Sequence, residues 1–213
     1  YLLPLSDSYV GVDLTEECVR VCRERFGTAE NATFAVNDGK SLAMIAHASI
    51  DFAFSFDSLV HAEGDVIDGY VAELSRVLAP QGIGFIHHSN LGSLVRNLIL
   101  ARLLERGLRK VPAALRILRD LGIADWDHAR AKSVDAARFA NSCNKAGLVC
   151  VGQEIIAWGD GQKMIDCLSL VARPGSRWDR PNVVVANADF MGEALSAQRI
   201  ASVYSSLDKR SPE

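Results

Sequence analysis

The sequence predicts an α/β fold with a mostly parallel sheet, on three observations. Apolar segments alternate with segments of helical periodicity over residues 9–90, which implies crossovers and a parallel sheet covered on both faces. Polar residues follow these apolar segments at their carboxyl ends, where such sheets bind ligands. Two later apolar segments flank Gly159-Asp160-Gly161 and predict an antiparallel hairpin. The 213 residues suffice for one domain, so we predict a single domain over 1–213.

The first half of the chain predicts three strands and two helices in alternation. A strand begins at Tyr9 and ends before Asp13, and Thr15 is a suitable N-cap for the helix that follows. ATFAVND and SIDFAFSF are the next two strands, the former ending in the turn Asn37-Asp38-Gly39. A helix over Glu63–Leu78 carries apolar residues along one face: Val66, Tyr70, Leu74 and Leu78.

The second half predicts a fourth strand, an insertion and the closing hairpin. GIGFIHHSN is a strand whose apolar run ends in four polar side chains. Residues 91–133 are amphipathic and rich in arginine, which predicts a helical lid inserted after that strand. A helix over Ala136–Gly147 precedes the strands LVCVGQEIIAW and IDCLSLVARP, and a short helix is expected around Phe190–Ser202.

Composition excludes several classes of protein. The formal net charge of −3 gives no overall signal for nucleic-acid binding. No apolar run approaches the roughly 20 residues of a membrane span, and the first residues lack the features of a signal peptide, so we expect a cytoplasmic protein without stable membrane insertion. Five cysteines without paired spacing predict free thiols, with neither a disulfide framework nor a zinc site.

Five segments in a fixed order carry a resemblance to a known family. They are YVGVD, the turn NDG, SIDFAFSFDSLVH, the most specific segment ELSRVLAPQG, and GIGFIHHSN. With the closing hairpin, they resemble the class I S-adenosylmethionine-dependent methyltransferases over about residues 9–174, apart from the basic insertion. The resemblance implies a Rossmann-like methyltransferase fold and methyl transfer from S-adenosylmethionine.

The resemblance does not include the first strand and the glycine-rich loop of that family. Tyr1 corresponds to a position in the helix after that loop, so both elements would belong upstream of residue 1. Either the sequence is a fragment, or upstream residues were removed, or the protein has lost this element. Because the missing strand is the central one, we expect the remaining sheet to expose an apolar seam.

The resemblance assigns five residues to the cofactor. Asp13 would accept hydrogen bonds from the ribose hydroxyls, since a carboxylate can take two O–H donors. Asp38 would accept from the adenine amino group, with Gly39 allowing the backbone to approach. Leu14 and Phe56 complete this predicted site. The alternative roles are structural: a helix-capping acid at position 13 and a turn acid at position 38.

Candidates for catalysis lie at the ends of the third and fourth strands. An alcohol nucleophile reacts faster beside a base, and histidine suits that role near pH 7. His87 and His88 point to opposite faces of a strand, and we predict that His88 faces the cleft as the base. His61 and Asp57 are further candidates, with helix capping or a turn as their alternatives. The substrate contacts are predicted to be His87, Ser89 and Asn90.

The acceptor is predicted from a second, narrower resemblance. FIHHSN, the basic insertion and RPGSRWDRPN together resemble bacterial sugar and glycan O-methyltransferases, in particular those of methylmannose polysaccharides. This implies a sugar or oligosaccharide hydroxyl as acceptor. Side chains that could stack on sugar rings are Trp126, Trp158 and Trp178. A divalent cation such as Mg²⁺ is possible if Asp57, His61 and His88 converge, although no residues show metal-ligand spacing. A homodimer is a possible assembly.

Three other functions remain open from the sequence. The apolar face of residues 94–121 would suit a methyltransferase for a lipid or a small natural product. An acid after the second strand also suits a nicotinamide dehydrogenase, although RVLAPQG and the closing hairpin argue against it. Without the glycine-rich loop, the chain could instead be a non-catalytic partner subunit with the methyltransferase fold.

Overall fold

A computed structural model of the chain describes residues 2–94, 130–157 and 163–207. Most of the predicted lid at 91–133 therefore lies outside the described residues, as do Trp126, Trp158 and the turn at 159–161. Within the described ranges, no helix is both long enough and apolar enough to cross a membrane.

The first half of the chain contains the predicted strands and helices in the predicted order, and its second strand is followed directly by the third. The strands are β1 Tyr9–Asp13, β2 Ala32–Val36, β3 Ile50–Leu59, β4 Leu78–Ser89, β5 Val149–Ile156, β6 Asp166–Ala172 and β7 Val184–Asn187. The α-helices are α1 Glu16–Phe26, α2 Gly64–Val77, α3 Ala136–Lys145 and α4 Phe190–Leu207. The short strand β7 was not predicted.

Local capping explains where two of the helices begin. The Thr15 side chain accepts a hydrogen bond from the Cys18 N–H at 3.3 Å, which caps α1. The Asp135 side chain accepts from the Arg138 N–H at 2.8 Å and caps α3 in the same way. Each cap satisfies a backbone donor that has no partner within the first turn of a helix.

The strands form two sheets rather than one continuous sheet. β1 and β2 pair in parallel, and the second sheet has the order β3-β4-β6-β5-β7. In that sheet β3 and β4 are parallel, whereas β6 runs antiparallel to both β4 and β5. The antiparallel pairing of β5 with β6 matches the predicted hairpin. β7 then adds a parallel edge strand beside β5.

The edge strand β3 exposes a row of phenylalanine side chains. Within the described part of the chain β3 pairs only with β4. Phe52, Phe54 and Phe56 lie on one face of β3, because strand side chains alternate, and they are 49%, 53% and 38% exposed. This phenylalanine row is therefore an exposed apolar surface on one face of the second sheet.

Helices α2 and α3 pack over β4 and β6 to form the main core. Its fully buried members include Ile67 and Val71 of α2, Phe139 of α3 and Val171 of β6. Of the predicted face, Leu74 and Leu78 are buried in this core, whereas Val66 and Tyr70 are only partly buried and the adjacent Ile67 and Val71 pack in their place.

Candidate functional site

The carboxyl ends of β1 and β2 bring Asp13, Leu14, Asp38 and Gly39 of the predicted cofactor site together, whereas Phe56 lies on β3. The Asn37 N–H donates to the Asp13 carbonyl oxygen at 2.9 Å and joins the two strand ends. Gly39 has a φ of +77°, and a Cβ at this position would lie 3.1 Å from Leu14 Cδ1. Glycine is therefore required here both for its backbone conformation and for the close contact with Leu14.

Asp13 and Asp38 also make the local hydrogen bonds expected of a helix-capping acid and of a turn acid. Asp13 Oδ1 accepts from the Thr15 N–H at 2.8 Å and from Thr15 Oγ1 at 2.9 Å. Asp38 Oδ1 accepts from the N–H groups of Lys40 and Ser41 at 2.9 and 2.7 Å. The bonds from Lys40 and then Ser41 lower the pKa of Asp38. Both side chains stay exposed, and both bonds of Asp13 use one oxygen, which leaves the other able to bind a ligand.

A hydrogen bond to Tyr70 ties the turn after β2 to helix α2, which packs on the second sheet. Asn37 Nδ2 donates to the Tyr70 hydroxyl at 2.7 Å and to the Ser41 carbonyl oxygen at 3.2 Å. The sequence predicts Tyr70 only as an ordinary core residue and Asn37 only as part of a turn. A phenol on an otherwise apolar helix face was the available signal, since a partly buried hydroxyl usually finds a partner.

Asp57 lies in a bulge near the carboxyl end of β3. Ser55 pairs with Ile86, and Leu59 pairs with His88. Between these pairs β3 moves on by four residues, whereas β4 moves on by two. Asp57 itself has a φ of +56°, a left-handed conformation that aspartate tolerates better than most residues. Its N–H donates to Nδ1 of His87 at 3.0 Å. The histidine thus replaces a strand carbonyl as the acceptor.

His87, Asp166 and Arg130 form a polar cluster beneath Asp57. His87 Nε2 lies 3.5 Å from Asp166 Oδ2. Arg130 Nη2 donates to Asp166 Oδ2 at 2.9 Å and to Asp57 Oδ1 at 3.3 Å. His87 and Asp166 are fully buried and the Arg130 side chain is 10% exposed, but the Asp57 side chain is 52% exposed. Asp57 is therefore the member of the cluster most open to a ligand.

Asp166 is held as a carboxylate within this cluster. Burial acts to raise its pKa, but hydrogen bonds from His87 and Arg130, with the charge of Arg130, lower it below the ordinary value. Sequence reasoning singled out neither Asp166 nor Arg130. The signal for Asp166 was an acid beginning the apolar segment IDCLSLVA, since a buried acid normally has a partner. No comparable signal identified Arg130.

The predicted orientation of His88 is wrong. Its side chain is fully buried in the core under α3, and its ring stacks on Phe139 with centroids 4.1 Å apart. Nδ1 lies 2.8 Å from the Ser89 carbonyl oxygen and Nε2 lies 2.8 Å from Ser169 Oγ. Because a carbonyl only accepts, Nδ1 carries the proton and Nε2 accepts from Ser169. Burial lowers the pKa of His88 to about 4, which makes it a weak base at neutral pH.

The two residues after His88 bond to the surrounding backbone. Ser89 Oγ donates to the Ala131 carbonyl oxygen at 2.7 Å and accepts from the Leu91 N–H at 3.0 Å. Asn90 Oδ1 accepts from the Ala136 N–H at 3.0 Å, and its Nδ2 donates to the Met164 carbonyl oxygen at 2.9 Å. Both side chains are buried. Their polar groups hold three chain segments together, and substrate contact at these positions stays a prediction.

The remaining candidates lie around the bulge. The Phe56 ring is 4.8 Å from the His87 ring, measured between centroids. His61 is exposed in the turn that joins β3 to α2. Asp57, His61 and His88 do not converge on a cation site, because no group of three or more potential ligands in the described ranges could hold a metal ion.

Residues 2–82 match a family model described as a methyltransferase domain. No curated protein matches the chain. The PH0226 protein from Pyrococcus horikoshii OT3 is similar in structure, with a TM-score of 0.52 and 21% identity over 81% of this chain and 74% of that one.

Two further solved structures have the same fold at lower identity. PKMT2 from Rickettsia typhi, in complex with AdoHcy, has a TM-score of 0.52 and 10% identity over 80% of this chain and 46% of that one. The YcgJ protein from Bacillus subtilis has a TM-score of 0.52 and 14% identity over 82% of this chain and 86% of that one. With the match over residues 2–82, these structures show that this chain has the Rossmann-like α/β fold of a methyltransferase domain.

Proposed function

We propose that the chain is an O-methyltransferase that methylates a hydroxyl group of a sugar or oligosaccharide. The observation that carries this proposal is the Asp57 carboxylate, which is half exposed at the carboxyl end of β3 and lies 3.3 Å from Arg130 Nη2. A carboxylate accepts hydrogen bonds from hydroxyl groups, and a guanidinium donates them. This pairing suits an acceptor with several hydroxyls better than an acyl chain.

The cofactor would be held by Asp13, Leu14, Asp38, Gly39 and Phe56. Their fit is supported by two exposed carboxylates at neighbouring strand ends and by the close backbone at Gly39. Bound S-adenosylmethionine supplies an electrophilic methyl group on a sulfonium centre. Asp13 would bind the ribose hydroxyls and Asp38 the adenine amino group. The PKMT2 complex contains AdoHcy, which supports S-adenosylhomocysteine as a binding probe.

Asp57 would act on the acceptor. Its carboxylate would accept the hydrogen bond of the attacking hydroxyl and take the proton as the new C–O bond forms. Arg130 would orient the carboxylate, and a second acceptor hydroxyl could bind beside it. When the leaving group is part of the cofactor, positioning of the acceptor contributes much of the rate enhancement of the displacement.

The test is methyl transfer from radiolabelled S-adenosylmethionine to a panel of acceptors. We expect label in mannose-containing oligosaccharides and none in fatty-acid or polyketide acceptors. Asp57→Asn should lower kcat by about a hundredfold and leave S-adenosylhomocysteine affinity unchanged. Asp65→Asn removes another exposed carboxylate, in the first turn of α2, and should have no effect. Label in lipid acceptors alone would reject the sugar proposal.

A second candidate is a non-catalytic partner subunit with the methyltransferase fold. The phenylalanine row on β3 favours it, because another chain could cover these side chains. Calorimetric titration of S-adenosylhomocysteine distinguishes the candidates: binding together with methyl transfer supports the enzyme, whereas neither activity supports the subunit.

A further inference from the structure

The buried side chain of His87 accepts a hydrogen bond from the backbone of Asp57. In the proposed function, Asp57 is the residue that contacts the acceptor. The bulge in β3 removes the Asp57 N–H from the regular ladder with β4, and this N–H donates to His87 Nδ1 at 3.0 Å. Asp57 also has a φ of +56°. Left-handed conformations of residues other than glycine persist when the surrounding structure holds them, and they are frequent at functional sites.

The hydrogen bond fixes the tautomer of His87. Nδ1 accepts a hydrogen bond from the Asp57 N–H and therefore carries no proton, so in the neutral ring the proton is on Nε2. That nitrogen lies 3.5 Å from Asp166 Oδ2, and the same oxygen accepts from Arg130 at 2.9 Å. Arg130 also bonds to the Asp57 carboxylate, so the four residues form a closed ring of contacts. In this ring His87 holds the backbone of Asp57, and Arg130 holds its carboxylate.

We propose that His87 is a positioning residue, whose buried imidazole, supported by Asp166 and Arg130, holds Asp57 in the left-handed conformation that presents its carboxylate to the acceptor hydroxyl. His87 is fully buried and acts through Asp57 rather than on the substrate. This inference rests on the proposed function, in which Asp57 meets the acceptor. It corrects the prediction that His87 contacts the substrate directly.

Two substitutions separate the two bonds of the imidazole. In His87→Asn the amide oxygen takes the place of Nδ1 and can accept from the Asp57 N–H, but the side chain is too short to reach Asp166. In His87→Gln the longer amide takes the place of Nε2 and can bond to Asp166, but it leaves the Asp57 N–H without its acceptor. The corresponding pair at the neighbouring buried histidine, His88→Asn and His88→Gln, is the matched control.

The kinetic result expected is a difference between the two His87 variants. His87→Gln should lower kcat by about a hundredfold, the effect of misplacing a reacting group by about 1 Å. His87→Asn should retain kcat within about threefold of wild type, since it keeps the acceptor that holds the bulge. S-adenosylhomocysteine affinity should be equal in both. Equal kcat in the two variants would overturn the proposal.

Amide hydrogen exchange at Asp57, followed by NMR, tests the positioning without any activity. Exchange should be slow in the wild type and in His87→Asn, and at least about tenfold faster in His87→Gln. The His88 pair should not reproduce this difference. Absence of methyl transfer by the wild type would reject the proposed function, and the exchange rates would still decide whether His87 holds Asp57.

A third variant covers the case in which a His87 variant does not fold. Asp166→Asn keeps the imidazole and removes the charge that supports it. We expect faster exchange of the Asp57 amide in this variant, and an unchanged rate would overturn the role given to Asp166 and His87.

Discussion

Because His88 is buried and neutral, we expect the free energy of unfolding to fall by a defined amount in mild acid. Burial lowers its pKa from an ordinary 6.5 to about 4 in the folded chain. Because the folded pKa lies below the unfolded one, the unfolded chain binds the proton first. The contribution of neutral His88 is therefore fully present above about pH 6.5 and is lost as the pH falls towards about 4.

The size of the loss follows from these two pKa values. The difference between pKa values of about 6.5 and about 4 corresponds to a total of about 3 kcal/mol. At about pH 5 the unfolded chain is almost fully protonated at this residue and the folded chain is not. By linkage, the free energy of unfolding at about pH 5 should be about 2 kcal/mol lower than at about pH 7 on account of His88 alone.

The comparison is made with His88→Gln, which retains an acceptor for Ser169 Oγ but has no group that titrates in this range. Urea unfolding of both proteins at about pH 7, 6 and 5 measures the two stabilities. The variant should be less stable at about pH 7, because it loses the stacking on Phe139. The difference should then shrink by about 2 kcal/mol at about pH 5. If it stays constant, His88 is not held neutral; His88→Asn provides the same comparison if His88→Gln does not fold.

Three further substitutions test the remaining surfaces. Asp13→Asn should weaken S-adenosylhomocysteine binding about tenfold in calorimetry without changing stability, and an unaltered dissociation constant would contradict its ribose role. Gly39→Ala places a Cβ 3.1 Å from Leu14 Cδ1 at a φ of +77°, so it should lower the free energy of unfolding by about 1–3 kcal/mol; equal urea midpoints would show that the turn accommodates the methyl group. Phe54→Thr removes a ring that is 53% exposed and should reduce binding of the dye ANS, whereas unchanged fluorescence would mean that the row is covered in solution.

The elements that the sequence predicted correctly depend on local signals. Thr15 caps α1 through an N–H three residues away, and such a bond can be inferred from neighbouring residues alone. The face of α2 could not be inferred in this way. Positions 66, 67, 70 and 71 are all apolar or aromatic, so two adjacent stripes fit the helical period. The sheet packs on Ile67 and Val71, and Tyr70 turns its hydroxyl towards Asn37.

The unpredicted strand β7 depends on partners distant in the sequence. Its residues are exposed or partly exposed and carry no strong alternation. The Gln153 N–H bonds to the Val183 carbonyl oxygen at 2.8 Å, and Gln153 Oε1 accepts from Asn182 Nδ2 at 2.8 Å. These contacts bring the chain alongside β5, and a short segment read alone does not reveal them.

The sequence predicted where in the fold the candidate residues lie, but not which residues contact one another. Asp13, Asp38 and Asp57 lie at or near the carboxyl ends of strands, as the sequence predicted, and their roles stay predictions. The cluster partners Arg130 and Asp166 are 36 residues apart in sequence, and only the antiparallel pairing of β6 with β4 brings Asp166 beside His87. Alternation correctly placed His87 and His88 on opposite faces. It could not say which face α3 covers.

The polar end of β4 forms an internal frame of hydrogen bonds. His87, His88, Ser89 and Asn90 are at most 3% exposed. The two histidines show how specific this frame is: His87 Nδ1 accepts from a backbone N–H, whereas His88 Nδ1 donates to a backbone carbonyl. The neutral rings therefore carry their protons on different nitrogens. Because the frame is internally bonded, β4 can fix the bulge of the neighbouring strand, and the carboxylate presented outward belongs to Asp57 on β3.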